Sequence, residues 1–111
     1  MTEIEAYEYV IQLYPKCGLK TVAVFGMDIT PYLKHGFRDV QYRPKEGQFD
    51  CAVIIWQEPI DVINQWGSMV IRNQTALCVK VDGIVITDGT MLGPQFIQIH
   101  SGKLNAYKRK A

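Results

Sequence analysis

The stretch FDCAVIIW, residues 49–56, is the most apolar run of the chain, and it decides the fold. A short, almost entirely apolar run of this kind is typical of a strand buried on both faces, as in the centre of a parallel sheet. A second run, TVAVF at residues 21–25, is rich in β-branched residues and is followed by Gly26. It predicts a neighbouring buried strand. We therefore expect residues 49–56 to form the central strand of a sheet.

Helices are predicted before and between these strands. The first begins with a capping box, Thr2 followed three residues later by Glu, and ends at Pro15. Thr30 is the predicted N-cap of a short helix that begins with a proline and stops at Gly36. Pro59 is predicted to open a third helix after the central strand.

The remaining segments favour strands. DVQYR, residues 39–43, alternates and predicts a second strand of the sheet. Residues 76–87 have two interpretations: Asp82-Gly83 is a frequent type I′ turn pair and favours a hairpin, or ALCVKV is one parallel strand that ends there. FIQIH and KLNAYKR, separated by Ser101-Gly102, predict a hairpin at the end of the chain.

Alternation of strands and helices followed by hairpins indicates an α/β fold. We expect a single domain over residues 1–111, with a three-layer, Rossmann-like architecture. Its sheet would be mostly parallel, with helices on both faces and a C-terminal antiparallel β-hairpin.

Charge and cysteine usage narrow the function classes. Twelve basic and eleven acidic side chains give a net charge of +1, so no overall field attracts nucleic acid or an anionic membrane. The basic residues near the C-terminus (Lys103, Lys108, Arg109 and Lys110) are interpreted as a solubilising tail rather than a phosphate-binding arm. Neither histidine, His35 or His100, has a cysteine or acidic neighbour at metal-ligand spacing, so no metal site is predicted.

Three cysteines, Cys17, Cys51 and Cys78, form an odd set without a CxxC pair. Two of them lie inside apolar runs, where a thiol behaves as a small buried hydrophobe, and this usage suits a reducing cytoplasm. The N-terminal sequence predicts no signal peptide, and no apolar run approaches the roughly 20 residues that span a bilayer. The expected location is cytoplasmic.

The order of these runs resembles a shortened class I S-adenosylmethionine-dependent methyltransferase. VAVFG is similar to the first strand of that family, DVQYR to the second and FDCAVIIW to the fourth. ALCVKVDG is similar to the fifth strand, and QFIQIHSGKLNAYKRK to the terminal hairpin. The resemblance covers the chain from about Leu19 onward. It implies a Rossmann-like fold with an S-adenosylmethionine or nucleotide-like ligand at the carboxyl ends of the strands.

The resemblance and the strand ends together nominate four site residues. Gly26 and Asp28 follow the first strand, and Trp56 and Glu58 follow the central strand. Open α/β sheets bind ligands at this edge, so Gly26, Asp28 and Trp56 are candidates for cofactor binding. Glu58 is the candidate for a catalytic group. The alternative interpretations are that Asp28 caps the next turn, that Glu58 complements a helix dipole, and that Trp56 is a core residue.

Three differences from the family favour a non-catalytic function. Gly26 is the one glycine after the first strand, where the family has several that let the cofactor approach. The second strand ends in Tyr42-Arg43 instead of an acid for the ribose, and Trp56-Gln57-Glu58-Pro59 replaces the Asn/Asp-Pro-Pro-aromatic motif of amino-methylating members. We therefore expect an interaction or accessory module that self-associates or binds a protein. The alternative is an S-adenosylmethionine- or nucleotide-binding protein or methyltransferase.

Overall fold

A computed structural model describes residues 2–15, 20–25, 29–40, 47–55, 65–89 and 93–111 of the chain. Within these ranges, three helices and six strands follow one another in the order that the sequence predicts, and the α/β class is confirmed. The helices are α1 (Thr2–Leu13), α2 (Thr30–His35) and α3 (Gln65–Ala76). The strands are β1 (Thr21–Phe25), β2 (Arg38–Val40), β3 (Phe49–Ile54), β4 (Val79–Thr87), β5 (Phe96–His100) and β6 (Asn105–Arg109).

The six strands form one sheet in the order β2-β1-β3-β4-β6-β5. β2, β1, β3 and β4 run parallel. α2 returns the chain to the same edge of the sheet between β1 and β2, and α3 does so between β3 and β4. β6 pairs antiparallel with β4, and β5 pairs antiparallel with β6. The predicted central run lies inside the sheet as β3, between β1 and β4.

The sheet is covered on both faces, as near-continuous apolar strands require. Alternate residues of β3 belong to two separate cores: Cys51 and Val53 on one side, Ala52 and Ile54 on the other. The first core also contains residues of α1 and α2, and the second contains Ala76 of α3. Residues 51–55 are all fully buried, which explains why this run has no polar face in the sequence.

The structure decides between the two interpretations of residues 76–87: the single parallel strand is confirmed, although it ends later than expected, and the hairpin is wrong. β4 is a single strand that continues through Asp82-Gly83, so there is no hairpin, and the parallel strand does not end there. Its register against β3 shifts between Val79, opposite Phe49, and Ile84, opposite Cys51. The three residues between Val79 and Gly83 are exposed, and they form a wide bulge.

The bulge explains why the local sequence resembles a hairpin turn. Asp82 adopts the left-handed conformation, with φ of 69°. A type I′ turn needs a positive φ at both central residues, but Gly83 does not have one. The left-handed conformation of Asp82 therefore forms a bulge within one strand instead of reversing the chain in a hairpin.

Helix α2 begins one residue earlier than predicted. Its N-cap is Ile29 rather than Thr30, no side chain caps it by a hydrogen bond, and its proline lies in the first turn. Its end at Gly36 is confirmed: Gly36 has a φ of 100°, and its N–H donates to the carbonyl of Leu33 at 3.1 Å. Gly36 is required here because the left-handed cap conformation disfavours a side chain.

Two other segments are confirmed only for the part that the structure describes. β2 covers Arg38–Val40, whereas the predicted strand was residues 39–43, of which 41–43 lie outside the described residues. α3 confirms a helix at 65–76, and the predicted start at Pro59 likewise lies outside them.

The basic C-terminal residues are not all a solvated tail. Arg109 is only 8% exposed. Its guanidinium Nη1 donates to the main-chain carbonyls of Leu77 at 2.9 Å and Val79 at 2.7 Å, and its Nε donates to the carbonyl of Ala111 at 2.7 Å. Arg109 therefore joins β6 to the turn between α3 and β4. Lys103 and Lys108 do lie at the surface.

Candidate functional site

The carboxyl ends of the parallel strands meet at one edge of the sheet. Phe25 at the end of β1 lies opposite Ile54 at the end of β3, and the Ile55 N–H donates to the Phe25 carbonyl at 3.1 Å. Ile54 in turn lies opposite Thr87 at the end of β4. Ligands of open α/β sheets bind at this edge, so the strands preceding the predicted site residues end side by side.

The predicted site residues themselves, Gly26, Asp28, Trp56 and Glu58, lie outside the described residues. Their assignment as cofactor-binding or catalytic groups stays a prediction. The described part of this edge consists of the three strand ends and the segment after β4.

The segment after β4, Thr87-Asp88-Gly89, is held by side chains from two other elements. The Thr87 side chain is buried, and its hydroxyl oxygen accepts the Gly89 N–H at 3.3 Å. The Gly89 carbonyl accepts a hydrogen bond from the Asn105 side chain of β6 at 3.0 Å. An ion pair of 3.5 Å joins the Arg72 guanidinium of α3 to the Asp88 carboxylate.

Arg72 also explains why residue 89 is a glycine. Arg72 is 2% exposed, and its guanidinium packs against Gly89 so closely that a Cβ at this position would overlap its central carbon and nitrogens. A buried cation is stable only when it is paired and hydrogen-bonded, which Asp88 provides in part. Residues Arg72, Thr87, Asp88, Gly89 and Asn105, which we call the β4-end cluster, thus form a fixed wall at the carboxyl edge of the sheet.

The β4-end cluster orients the segment that follows β4. The Asp88 side chain is 17% exposed and is paired with a guanidinium, so its charge is neutralised nearby. The ion pair with Arg72 thus holds the segment after β4 in place, and a ligand at this edge of the sheet would contact the β4-end cluster. The sequence gives no signal for the cluster, because its members come from α3, from the end of β4 and the residues after it, and from β6.

A second polar cluster lies at the opposite edge, where the strands begin. The Asp50 carboxylate accepts hydrogen bonds from the Thr21 N–H at 2.9 Å and the Thr21 hydroxyl at 3.1 Å. Lys20 and Lys80 place their ammonium nitrogens 3.9 and 3.7 Å from its other oxygen. Burial alone would raise the pKa of the Asp50 carboxyl, but the Thr21 hydrogen bonds and the two lysines outweigh it and hold that pKa below its usual 3.8.

The Asp50 cluster gives a prediction for stability against pH. A carboxyl with a lowered folded-state pKa stabilises the protein above its unfolded pKa, and this contribution is lost as pH falls through the folded pKa. We expect Asp50→Asn to lower the free energy of unfolding by about 1.5 kcal/mol at pH 7. The difference from the natural protein should narrow below about pH 4. Urea unfolding of both proteins between pH 7 and pH 3 measures this difference in the free energy of unfolding. A difference that stays constant over this pH range would contradict the assignment.

The buried thiols are inert rather than reactive. Burial raises the pKa of the Cys78 thiol to about 12, although its backbone hydrogen bond and Arg109 act in the opposite direction. Burial also raises the pKa of Cys51, with smaller contributions from Cys78 and Asp50. Since the thiolate is the nucleophile and the metal ligand, neither thiol is prepared for catalysis at neutral pH. Both are free cysteines packed as core residues, as the sequence predicts.

The described ranges contain no group of three histidine, cysteine or acidic side chains able to hold a metal ion. His35 ends α2, with Nε2 3.3 Å from the carbonyl of Tyr14, and His100 stacks near Tyr9 with ring centroids 5.4 Å apart. None of the helices within the described ranges is long and apolar enough to cross a membrane.

Comparison with known proteins places the fold. No protein-family model and no curated protein matches the chain. A solved structure, the "Putative methyltransferase yhhF from Escherichia coli", superposes with a TM-score of 0.50 at 10% sequence identity, over 96% of this chain and 87% of that chain. The fold is similar to that of this structure. At this identity the likeness concerns the arrangement of helices and strands alone, and it agrees with the family resemblance found in the sequence.

Proposed function

We propose that this chain is a single, three-layer, Rossmann-like domain with a C-terminal hairpin, and that it acts as an interaction or accessory module. It works in the cytoplasm, without a cofactor, and it self-associates. The observation that carries the proposal is the outer edge of the sheet at β5. The departures from the methyltransferase pattern at Gly26, Tyr42-Arg43 and residues 56–59 support a fold whose ligand chemistry has been lost.

Strand β5 has the properties of an interaction edge. It is the last strand of the sheet, and after Phe96 its residues are exposed. Ile97 is 50% exposed and Ile99 is 48% exposed. Natural edge strands are usually guarded by lysine, proline or a charged side chain, and the five residues Phe96–His100 contain no Lys, Arg, Asp, Glu or Pro. Such an edge favours pairing with another strand.

The size of the edge predicts a weak association. Burying the exposed half of an isoleucine side chain contributes about 1 kcal/mol, and each new main-chain hydrogen bond adds about 1 kcal/mol. Association costs at least about 4 kcal/mol in lost translational and rotational freedom. The module should therefore associate reversibly, with the bound fraction rising with protein concentration.

Light scattering tests this proposal on the natural chain. Between about 10 and about 500 µM protein, we expect the weight-average mass to rise from the 12.7 kDa of one chain toward twice that value. Added salt should change the curve little, because the edge strand carries no full charge. A mass that stays at 12.7 kDa over the whole range would refute self-association.

The alternative function is binding of S-adenosylmethionine or a nucleotide-like ligand, with or without methyl transfer. It is favoured by the fold shared with the E. coli structure and by the rigid β4-end cluster at the carboxyl edge of the sheet. In this alternative, Gly26, Asp28 and Trp56 would contact the ligand. Glu58 would be the candidate catalytic group.

Ligand titration separates the two functions. A ligand that binds only the folded state at 100 times its dissociation constant stabilises the protein by about 2.7 kcal/mol. The proposed function predicts no shift of the thermal midpoint with S-adenosylmethionine or S-adenosylhomocysteine up to about 1 mM. A concentration-dependent rise of several degrees with either compound would establish the alternative. Gly26→Val should then abolish the rise.

A further inference from the structure

We infer that β5 pairs antiparallel with β5 of a second copy, about a two-fold axis that passes beside Ile97, so that two six-stranded sheets become one. This inference rests on the proposed function, because it names the partner and the register of the self-association. Ile97 then meets the partner subunit's Ile97 across the axis.

The ladder between β5 and β6 determines which main-chain groups point away from the sheet. The Lys110 N–H donates to the Gln95 carbonyl at 2.7 Å, so these two residues form a hydrogen-bonded pair. Hydrogen-bonded and non-hydrogen-bonded pairs alternate along an antiparallel ladder. Phe96, opposite Arg109, is therefore in a non-hydrogen-bonded pair. Its main-chain groups point to the open edge.

The same alternation applies further along the strand. Ile97, opposite Lys108, forms a hydrogen-bonded pair, and Gln98, opposite Tyr107, directs its N–H and carbonyl outward. The Phe96 N–H donates to the Gly93 carbonyl at 3.2 Å. The groups presented to a partner strand are thus the Phe96 carbonyl together with the Gln98 N–H and carbonyl.

These groups match a second copy of the same strand. With Gln98 of one copy opposite Phe96 of the other, each Gln98 N–H can donate to the Phe96 carbonyl across the interface. The two-fold axis then lies at Ile97, whose pair is non-hydrogen-bonded with Cα atoms about 4.5 Å apart. Both isoleucines project from the same face of the joined sheet, where each is half exposed in the single chain. Their contact removes both from water.

Charge on this face permits the pairing. Lys108 is the residue beside Ile97 on the next strand inward, and its ammonium lies 3.7 Å from the Asp82 carboxylate. Across the two-fold axis the two Lys108 residues are three strand spacings, or about 14 Å, apart. This exceeds the Debye length of about 8 Å at physiological salt, so their repulsion is screened. A charged peptide would find no opposite charge within Phe96–His100, whereas a second β5 matches it in hydrophobicity.

A bulge limits the pairing to the first half of β5. The register against β6 shifts between Gln98 and His100, so the regular alternation of main-chain groups ends there. The Gln98 side chain also donates to the His100 carbonyl at 3.2 Å. A short paired segment agrees with a dimer that dissociates on dilution.

Two charged substitutions of opposite sign at Ile97 test the register of the pairing. Ile97→Lys places two like charges across the axis, as does Ile97→Glu, and like charges directly opposite one another destabilise strand pairs. Each variant alone should lose association by at least about tenfold, and its mass should stay at 12.7 kDa up to about 500 µM. An equimolar mixture of the two variants should regain the dimer mass, because lysine then faces glutamate across the interface.

The control is Ile71→Lys. Ile71 on α3 is 56% exposed, much like Ile97, but it lies away from the edge of the sheet. This variant should keep the concentration dependence of the natural chain. Recovery of the dimer in the mixture also shows that the Ile97 variants are folded, so loss of association is not confused with unfolding.

The outcomes separate this inference from the function on which it rests. If the natural chain dimerises and the Ile97 variants dimerise equally well, or if their mixture stays monomeric, the β5 pairing is refuted while self-association stands. If the natural chain is monomeric throughout, self-association itself is refuted. Monomeric single variants with a dimeric mixture establish the pairing and its two-fold axis.

Discussion

Replacing Arg109 with alanine is expected to lower the free energy of unfolding by about 4 kcal/mol. The guanidinium Nη1 donates to the carbonyls of Leu77 and Val79, and these bonds join β6 to the start of β4, about 30 residues earlier in the chain. Without Arg109 the carbonyl of Val79, a fully buried residue, loses this donor, whereas the Leu77 carbonyl keeps the Gly47 N–H at 2.9 Å. An unsatisfied buried acceptor costs about 1–3 kcal/mol, and the lost packing of the arginine stem adds to it.

Urea unfolding measures this loss, at a protein concentration low enough to keep the chain monomeric. Small domains have a free energy of unfolding of about 5–15 kcal/mol, so the variant should fold but with a much lower midpoint. Arg109→Met keeps most of the volume without the donors, and it should recover only the packing part of the loss. Recovery of full stability by methionine would show that the hydrogen bonds contribute little.

The neighbouring residue provides the matched control. Lys108 is on the same strand and is also basic, but it is half exposed, and its ion pair is with an exposed carboxylate, that of Asp82. Surface pairs of this kind contribute about 0–1 kcal/mol. Lys108→Ala should therefore change stability by less than about 0.5 kcal/mol. Equal losses of stability in Arg109→Ala and Lys108→Ala would indicate that Arg109 belongs to a solvated tail, as the sequence suggests.

The sheet could be predicted from the sequence because its information is local. β1 has the bounds predicted for it, Thr21–Phe25, and β3 occupies the predicted central run from Phe49 to Ile54. In each case a short apolar run indicates burial on both faces without reference to any other part of the chain. Gly36 was likewise identified by a local requirement, the left-handed conformation at the end of α2.

Arg109 could not be predicted because its role depends on a distant contact. In the sequence it stands within a basic run, and such runs are usually solvated. The Arg109 guanidinium reaches the start of β4 only because β6 lies alongside β4 in the sheet. The candidate site has the same difficulty. The strand-end rule nominates Gly26, Asp28, Trp56 and Glu58, but the β4-end cluster of Arg72, Asp88 and Asn105 arises from three separate elements.

Asp82-Gly83 shows a third case, in which a local sequence pattern has more than one structural solution. A positive φ at Asp82 suits a hairpin turn, and it also suits a bulge within one strand. The deciding factor is which strand pairs with Ile84 and the residues after it. In the structure that partner is β3, through Cys51, and not the preceding half of β4.

Gly83→Ala is accordingly expected to lower the free energy of unfolding by about 3 kcal/mol. A Cβ at this position would lie 2.7 Å from the Lys80 carbonyl oxygen, 2.8 Å from the Val79 Cβ and 3.1 Å from the Asp50 carbonyl oxygen. Two of these neighbours are backbone atoms, which cannot rotate away as a flexible side chain can. The bulge must open to admit the methyl group, and opening it disturbs the pairing of β4 with β3 at the centre of the sheet.

Gly102→Ala is the control for this second prediction. Gly102 lies between β5 and β6, and a Cβ there would be 3.4 Å from the His100 ring and 3.8 Å from the Leu104 carbonyl oxygen, which are ordinary contacts. Its replacement should change stability by less than about 0.5 kcal/mol in the same urea experiment. If Gly83→Ala were equally mild, the close packing of the bulge against Asp50 would be wrong. The size of this effect therefore tests how closely the bulge of β4 packs against the backbone of β3.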